Sequence, residues 1–263
     1  ILAIDRLDYT KGIAGRIKAF EFFLNKYPEY REKVRLVMLA VPSRSNVPQY
    51  KLLKKETDEL VGRINGKFAT VSWTPIWYFY RSLPFDNLID LYTSSDVAMI
   101  TPVRDGMNLV AKEYVATRTD QSGVLILSEM AGAAKELNKA LLVNPSDTEA
   151  LADALQTALE MPIGEQVSRN KSLQQRIRRY SVTRWAESFM QALLKAYEQR
   201  EPHTAKKIGE VTLQEMTSQF EKAKKRLIFL DYDGTLSPFH DNPEMATPKD
   251  EVLNALEKIQ SMP

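Results

Sequence analysis

The sequence predicts an α/β fold, a Rossmann-like parallel sheet with helices on both faces. Three observations carry that expectation. Short apolar runs alternate with helix-period segments over the first 200 residues. The runs are continuously apolar rather than alternating, as strands buried on both faces are. The helices between them each keep one apolar face, and strand–helix alternation of this kind builds parallel sheets.

In chain order, strands are expected at residues 1–4, 34–41, 70–73, 97–101, 124–128 and 140–143. A helix over 13–27 places Ile13, Ile17, Phe20, Leu24 and Tyr27 on one side. Ser146 followed by Glu149 reads as a capping box. It opens a helix with the stripe Leu151, Ala154, Leu155, Ala158 and Leu159, closed by Pro162. A long helix over 181–199 carries Trp185, Phe189, Leu193 and Ala196 on one face. Residues 201–210, EPHTAKKIGE, lack periodicity and read as a linker. A helix over 212–225, a strand over 227–230 and the run LDYDGTLSP follow. Residues 201–263 carry a net charge of −3 and the remainder +5, a shift that supports a boundary here.

Composition narrows the function. The 263 residues are 44% hydrophobic and 27% charged, enough apolar mass for a full core. With no Cys and two His, a disulfide scaffold, thiol catalysis and a Cys- or His-rich metal site are excluded. A net charge of +2 is no electrostatic footprint for nucleic acid. No apolar run is long enough to span a membrane, and a cytoplasmic protein is expected. The chain opens inside an apolar strand without Met and closes within a helical pattern, so a piece of a longer protein is expected.

Ligands of such sheets bind beyond the C-terminal strand ends, so polar residues just after strands carry functional weight. Arg6 and Lys11 flank LDYT after the first strand, with Gly12 opening the next helix. Two cations beside a helix N-terminus suit an anion, although both also read as ordinary surface cations. After the strand ending at Thr101, Pro102–Asn108 forms a tight polar loop ahead of a helix starting near Leu109. The amides of Gly106–Val110 would face whatever lies beyond the strand, and Gly106 permits close approach. Asp105 could accept from sugar hydroxyls or cap the helix. Glu113, about one turn into it, could grip a ribose diol or be a surface carboxylate. GRINGKF (62–68) fails as a P-loop because only three residues separate its glycines and Phe68 replaces Ser/Thr; no GxGxxG is present. Asn170-Lys171-Ser172 is a sequon read as chance.

DRLDYTKG, PSRSNV, GRINGKF, WTPIWY and above all RDGMNLVAKEYVA strongly resemble the trehalose-6-phosphate synthase family, retaining glycosyltransferases with two Rossmann domains. The resemblance covers residues 1 to about 198. It implies transfer of glucose from UDP-glucose to glucose 6-phosphate without a cofactor, and residues 1–200 as the family's second, donor-binding domain. Arg6 and Lys11 match the residues that hold the UDP diphosphate, and Asp105 the residue that contacts the transferred glucose. Gly106, Met107, Asn108, Leu109 and Val110 match the backbone clamp on diphosphate and glucose. Glu113 matches the ribose ligand, Leu88 a nucleotide-contacting leucine, and Arg44 an arginine for the phosphate of glucose 6-phosphate. The family is read as front-face transfer, so no protein nucleophile is assigned. On this resemblance, the family's first Rossmann domain is expected to lie outside these residues. The apolar face with Trp185 and Phe189 is therefore expected to be exposed, and the isolated chain to catalyse little.

A second constellation is Asp231-Tyr232-Asp233-Gly234-Thr235. Two carboxylates two apart at a strand end can share Mg²⁺; an Asp- and Gly-rich turn is the plain alternative. An EF-hand fails, since Gly is fourth rather than sixth and a strand precedes. The stretch resembles the first motif of haloacid-dehalogenase-type phosphatases, close to the trehalose-6-phosphate phosphatase branch. That resemblance implies Asp231 as nucleophile, Asp233 as general acid/base, both as Mg²⁺ ligands, and a smaller role for Thr235. Residues 201–225 would be a linker and connecting helix, and 226–263 the truncated start of a haloacid-dehalogenase-like α/β domain, without phosphatase activity here. Two further readings stay open: a non-catalytic regulatory or scaffold subunit that binds other trehalose synthase or phosphatase subunits, and a nucleotide-sugar transferase with another acceptor.

Overall fold

The computed structural model describes residues 1–198, 208–240 and 242–261. The chain divides into two compact units between Ala192 and Leu193.

The first unit is built on six parallel strands: β1 (Leu2–Arg6), β2 (Leu36–Val41), β3 (Ile76–Tyr80), β4 (Val97–Ile100), β5 (Val124–Ser128) and β6 (Leu141–Val143). Their spatial order is β3-β2-β1-β4-β5-β6. The sheet therefore grows outward in both directions from the β1/β4 pair, and that seam is where such folds bind their ligands. Successive residues of each central strand point to opposite faces, and both faces are apolar. Ala3, Val97, Met99, Val124 and Ile126 enter one core with Ile17, Phe20 and Phe23 of α1 (Ile13–Lys26), Val61 and Ile64 of α2 (Pro48–Phe68), and Leu151 and Leu155 of α5 (Thr148–Glu160). Leu2, Ile4, Ala98, Ile100, Leu125 and Leu127 enter the other. There they meet Tyr92 of α3 (Phe85–Thr93), Ala111, Tyr114 and Val115 of α4 (Leu109–Thr117), and Leu173 of α6 (Ile163–Arg179). The doubly covered parallel sheet expected from the continuous apolar runs is thus present.

Three expectations need correction. The third strand lies at Ile76–Tyr80, not 70–73. Trp73 instead plugs the core from a loop, 6% exposed, with Nε1 donating to the Val34 carbonyl at 2.9 Å. Asn65 sets the true start by bonding both the amide and the carbonyl of Ile76, each at 3.0 Å. At the start of α5 the cap is Asp147, whose side chain accepts from the Ala150 amide at 2.9 Å, rather than Ser146. No strand forms over 227–230, where Leu227 and Phe229 are exposed. A strand needs a neighbour for its backbone groups, and none pairs with this segment among the described residues. Asn170, the sequon residue, is buried, its amide donating to the carbonyls of Gln121, Ser122, Gly123 and Gln166. Residues 62–68 lie inside α2, which removes any loop reading of GRINGKF.

Helix α7 (Val182–Glu198) follows α6. Its residues Trp185, Phe189, Met190 and Leu193 are all exposed, with the Trp185 and Phe189 rings stacked at 5.7 Å. The second unit contains α8 (Glu210–Lys222) and α9 (Asp250–Gln260). Between them Tyr232–Ser237 folds into a tight turn, with the amides of Leu236 and Ser237 both donating to the Tyr232 carbonyl. Gly234 supplies φ +79°, which a side chain would oppose.

One buried ion pair sits directly under the β1/β4 seam. Arg16, 1% exposed, donates through Nη2 to Asp5 Oδ2 and, at 2.5 Å, to the Lys11 carbonyl; its Nη1 donates to the Met99 carbonyl at 3.3 Å. Burial drives the Asp5 carboxyl above its ordinary value, against the opposing pull of Arg16. Removing one member of such a pair strands the other. Arg16→Met is expected to cost about 3–5 kcal/mol in denaturant unfolding, and Asp5→Asn added to it to recover part of that loss.

Candidate functional site

The loops that leave β1 and β4 meet through side chains. After Arg6 ends β1, Asp8 accepts from the Thr10 amide and hydroxyl, which shapes a short 3₁₀ turn over Tyr9–Lys11. Gly12 then takes φ +68° to enter α1, and a Cβ there would lie 2.6 Å from the Thr101 carbonyl. The close approach lets the amides of Val103 and Arg104 donate to the Thr10 carbonyl at 2.9 and 3.1 Å. The result is that Lys11 Nζ reaches Asp105 Oδ2 at 2.5 Å, both side chains sheltered at 13% and 14% exposure.

Asp105 is not the cap of α4. Its carboxylate accepts from Lys11, from the Met107 amide at 3.2 Å and from Asn108 Nδ2 at 3.1 Å. Burial raises the carboxyl, but these bonds outweigh it and hold Asp105 below its ordinary value. It is therefore an acceptor at neutral pH, the state that takes hydrogen bonds from hydroxyls. Asn108 is the cap, accepting from the Ala111 amide at 2.9 Å with its own backbone at φ 82°. That left-handed conformation costs about 1–3 kcal/mol at a non-glycine residue, and such strain concentrates at functional sites. The amides of Leu109 and Val110, in the first helical turn, have no intrahelical acceptor. Gly106 is exposed beside them. The loop after β5 props this segment from behind: the Gly132 amide donates to the Asp105 carbonyl at 3.0 Å and the Ala133 amide to the Met107 carbonyl at 2.7 Å.

The remaining expected residues arrange around this centre. Arg6 is exposed at the strand end, with no ion pair among the described residues. Arg44 lies in the loop after β2, also in a left-handed conformation at φ 46°. It donates to the Tyr50 hydroxyl at 3.4 Å, which donates to Asp8 Oδ2 at 2.9 Å, so the loops after β1 and β2 are joined. Glu113 lies one turn into α4, and Leu88 packs from α3 onto the same core as Val110. Asp231 and Asp233 belong to the second unit; Asp233 bridges to Ser237 within the tight turn and no strand precedes it. Their plain reading as an Asp- and Gly-rich turn matches this geometry. Among the described residues no group of three or more His, Cys, Asp or Glu is arranged to hold a metal ion. Sequence reasoning missed Asp8, whose bonds to Thr10 are local, and Tyr50, Arg16 and Tyr92, whose partners lie far along the chain.

The model of glycosyltransferase family 20 matches residues 1–195. The chain belongs to that family. Relatives in the family include the bifunctional trehalose-6-phosphate synthase/phosphatase of Thermoproteus tenax, 46% identical over all of this chain and 36% of that protein. A crystal structure of the UDP-forming α,α-trehalose-phosphate synthase from Burkholderia xenovorans, in complex with glucose-6-phosphate, is 41% identical with a TM-score of 0.71. It covers 73% of this chain and 43% of that one. A family 20 relative from E. coli, bound with UDP-2-fluoro glucose, shows the same identity, TM-score and coverage. The chain thus spans less than half the length of the family 20 proteins it matches. No described helix is long and apolar enough to cross a membrane.

Asp105 is held ionised in the fold more strongly than in the unfolded chain, so its contribution to stability is full above its ordinary value of 3.8 and fades as pH falls through the lower folded value. Asp105→Asn is expected to lower unfolding stability by about 1.5–3 kcal/mol at neutral pH. The two proteins should converge as the titration is carried below pH 3.8, which denaturant melts across pH would follow.

Proposed function

We propose that the first unit is the donor-binding half of a trehalose-6-phosphate synthase, transferring glucose from UDP-glucose to glucose 6-phosphate with release of UDP. The observation that carries this reading is the Lys11–Asp105 contact at the β1/β4 seam, beside the open first turn of α4. As the glycosidic bond breaks, negative charge grows on the departing UDP. Lys11, tethered to Asp105, and Arg6, exposed at the end of β1, are the cations that stabilise it without a metal, and the amides from Gly106 to Val110 add aligned donors. Asp105, ionised, accepts from hydroxyls of the transferred glucose. Glu113 accepts from the ribose diol, and Leu88 lines the nucleotide. Arg44 offers a planar fork to the acceptor phosphate. The acceptor attacks from the face that UDP leaves, so retention needs no carboxylate nucleophile from the protein.

The exposed stripe of α7 fits a helix that packs on the family's first domain, and complete catalysis would need that domain. Residues 226–263 are, on this reading, the beginning of a phosphatase-like domain, supported by a match to a bifunctional relative that spans all of this chain and 36% of that protein. Two exposed carboxylates do not complete a Mg²⁺ site, so Asp231 and Asp233 alone do not support phosphoryl transfer. The synthase reading is preferred to a scaffold subunit because a purely structural copy has no use for Arg6, Lys11, Asp105 and Glu113 together.

Calorimetric titration with UDP tests the proposal. Saturable binding is expected, weakened about 10- to 100-fold by Lys11→Ala, the loss of one charge-assisted hydrogen bond. A folded chain that binds no UDP, or a Lys11→Ala variant that binds as tightly, would overturn it.

A further inference from the structure

Tyr92 sits in the last turn of α3, 1% exposed, and its hydroxyl leaves the core to donate to Glu113 Oε2 at 2.8 Å. Glu113 itself is exposed on α4. A carboxylate on a flexible stem is thereby held by a phenol that cannot turn away. The Tyr92 ring meets Tyr114 edge-on, with centroids 6.4 Å apart and planes at 69°. Its backbone carbonyl accepts from Arg118 Nη1 at 3.2 Å, and the same nitrogen donates to the carbonyls of Thr93 and Ser95. The end of α3 is locked to the end of α4 on both sides of Tyr92. Glu113 Oε1 makes no hydrogen bond among the described residues, so on this exposed residue its lone pairs are open to a ligand.

We propose that Tyr92 is a positioning residue that holds Glu113 in the rotamer able to accept both ribose hydroxyls of a uridine diphosphate donor. This rests on the reading of Glu113 as the ribose ligand. The physical gain is preorganisation: a glutamate ordered before the nucleotide arrives does not lose rotamer freedom on binding. Leu88, one helical turn before Tyr92 on α3, packs on the same core, so one face of α3 serves both the ribose ligand and the nucleotide wall. The role is specific to the diol. A residue that merely filled the core would affect every ligand alike.

The test compares UDP with 2′,3′-dideoxy-UDP by calorimetry on the full 263-residue chain and its Tyr92→Phe and Glu113→Gln variants. The unsubstituted chain is expected to prefer UDP by about tenfold or more, the worth of hydrogen bonds to an ionised carboxylate. Tyr92→Phe keeps the ring and its packing. It should reduce that preference to about threefold or less while binding dideoxy-UDP within about twofold of the unsubstituted chain. The dideoxy affinity also reports that the site is folded. A Tyr92→Phe chain that keeps the full preference, while Glu113→Gln loses it, overturns the positioning role and leaves the ribose reading standing. A Glu113→Gln chain that keeps the preference overturns both, whereas a loss of affinity in Tyr92→Phe that is equal for the two nucleotides overturns the positioning role alone.

Discussion

The two halves of the sheet meet where β1 lies beside β4, and the ion pair between Lys11 and Asp105 ties the loops that leave those strands. Most of the candidate site depends on that join. Lys11 would otherwise be a mobile surface cation, and Asp105 a loop carboxylate with one amide to hold. Held together in partial shelter, they present a charge and an acceptor at defined places. Beneath them Arg16 grips the Lys11 backbone from inside the core and reaches across to β4 through the Met99 carbonyl. The surface pair is thus anchored to a buried one, and the loop geometry is set by the sheet rather than by the ligand.

The sheet was legible because its strands are buried on both faces. Val124–Ser128 emerges with the bounds expected, and the order of helices and strands follows the alternation of apolar runs. The edge strand was misplaced. Ile76–Tyr80 is itself an unbroken apolar and aromatic run, with Ile76 buried, Trp77 46% exposed and Tyr78, Phe79 and Tyr80 half-buried, but the core-filling Trp73 draws attention to the segment just before it. The same limit applies to the site. Lys11, Asp105 and Asn108 stand in a run whose spacing is informative. Tyr50, Arg16 and Tyr92 reach their partners across 42, 83 and 21 residues, distances at which a sequence carries no local signal.

The segment 227–237 shows a different kind of limit. An apolar run followed by two carboxylates has the pattern of a strand and a strand-end site, yet a parallel strand exists only through its neighbours. Without one among the described residues, Tyr232–Ser237 closes on itself as a turn, the residues on either side of Asp233 bonding to Ser237: the Gly234 amide donates to the Ser237 carbonyl and the Ser237 amide to the Tyr232 carbonyl. Local pattern states what a segment can become; pairing decides whether it does.

The contact between Gly132 and Gly106 carries a further consequence. A Cβ on Gly132 would lie 2.0 Å from the Gly106 carbonyl oxygen, so the two loops touch main chain to main chain, and the hydrogen bonds that hold them are main-chain bonds too. This contact between the two loops thus does not depend on the exposed side chains beside it. Exposed neighbours such as Met130 and Leu109 can be exchanged without moving the amides they flank. A surface of this kind can drift in what it prefers to bind while keeping the geometry of how it binds, which leaves ligand preference and loop architecture free to evolve separately.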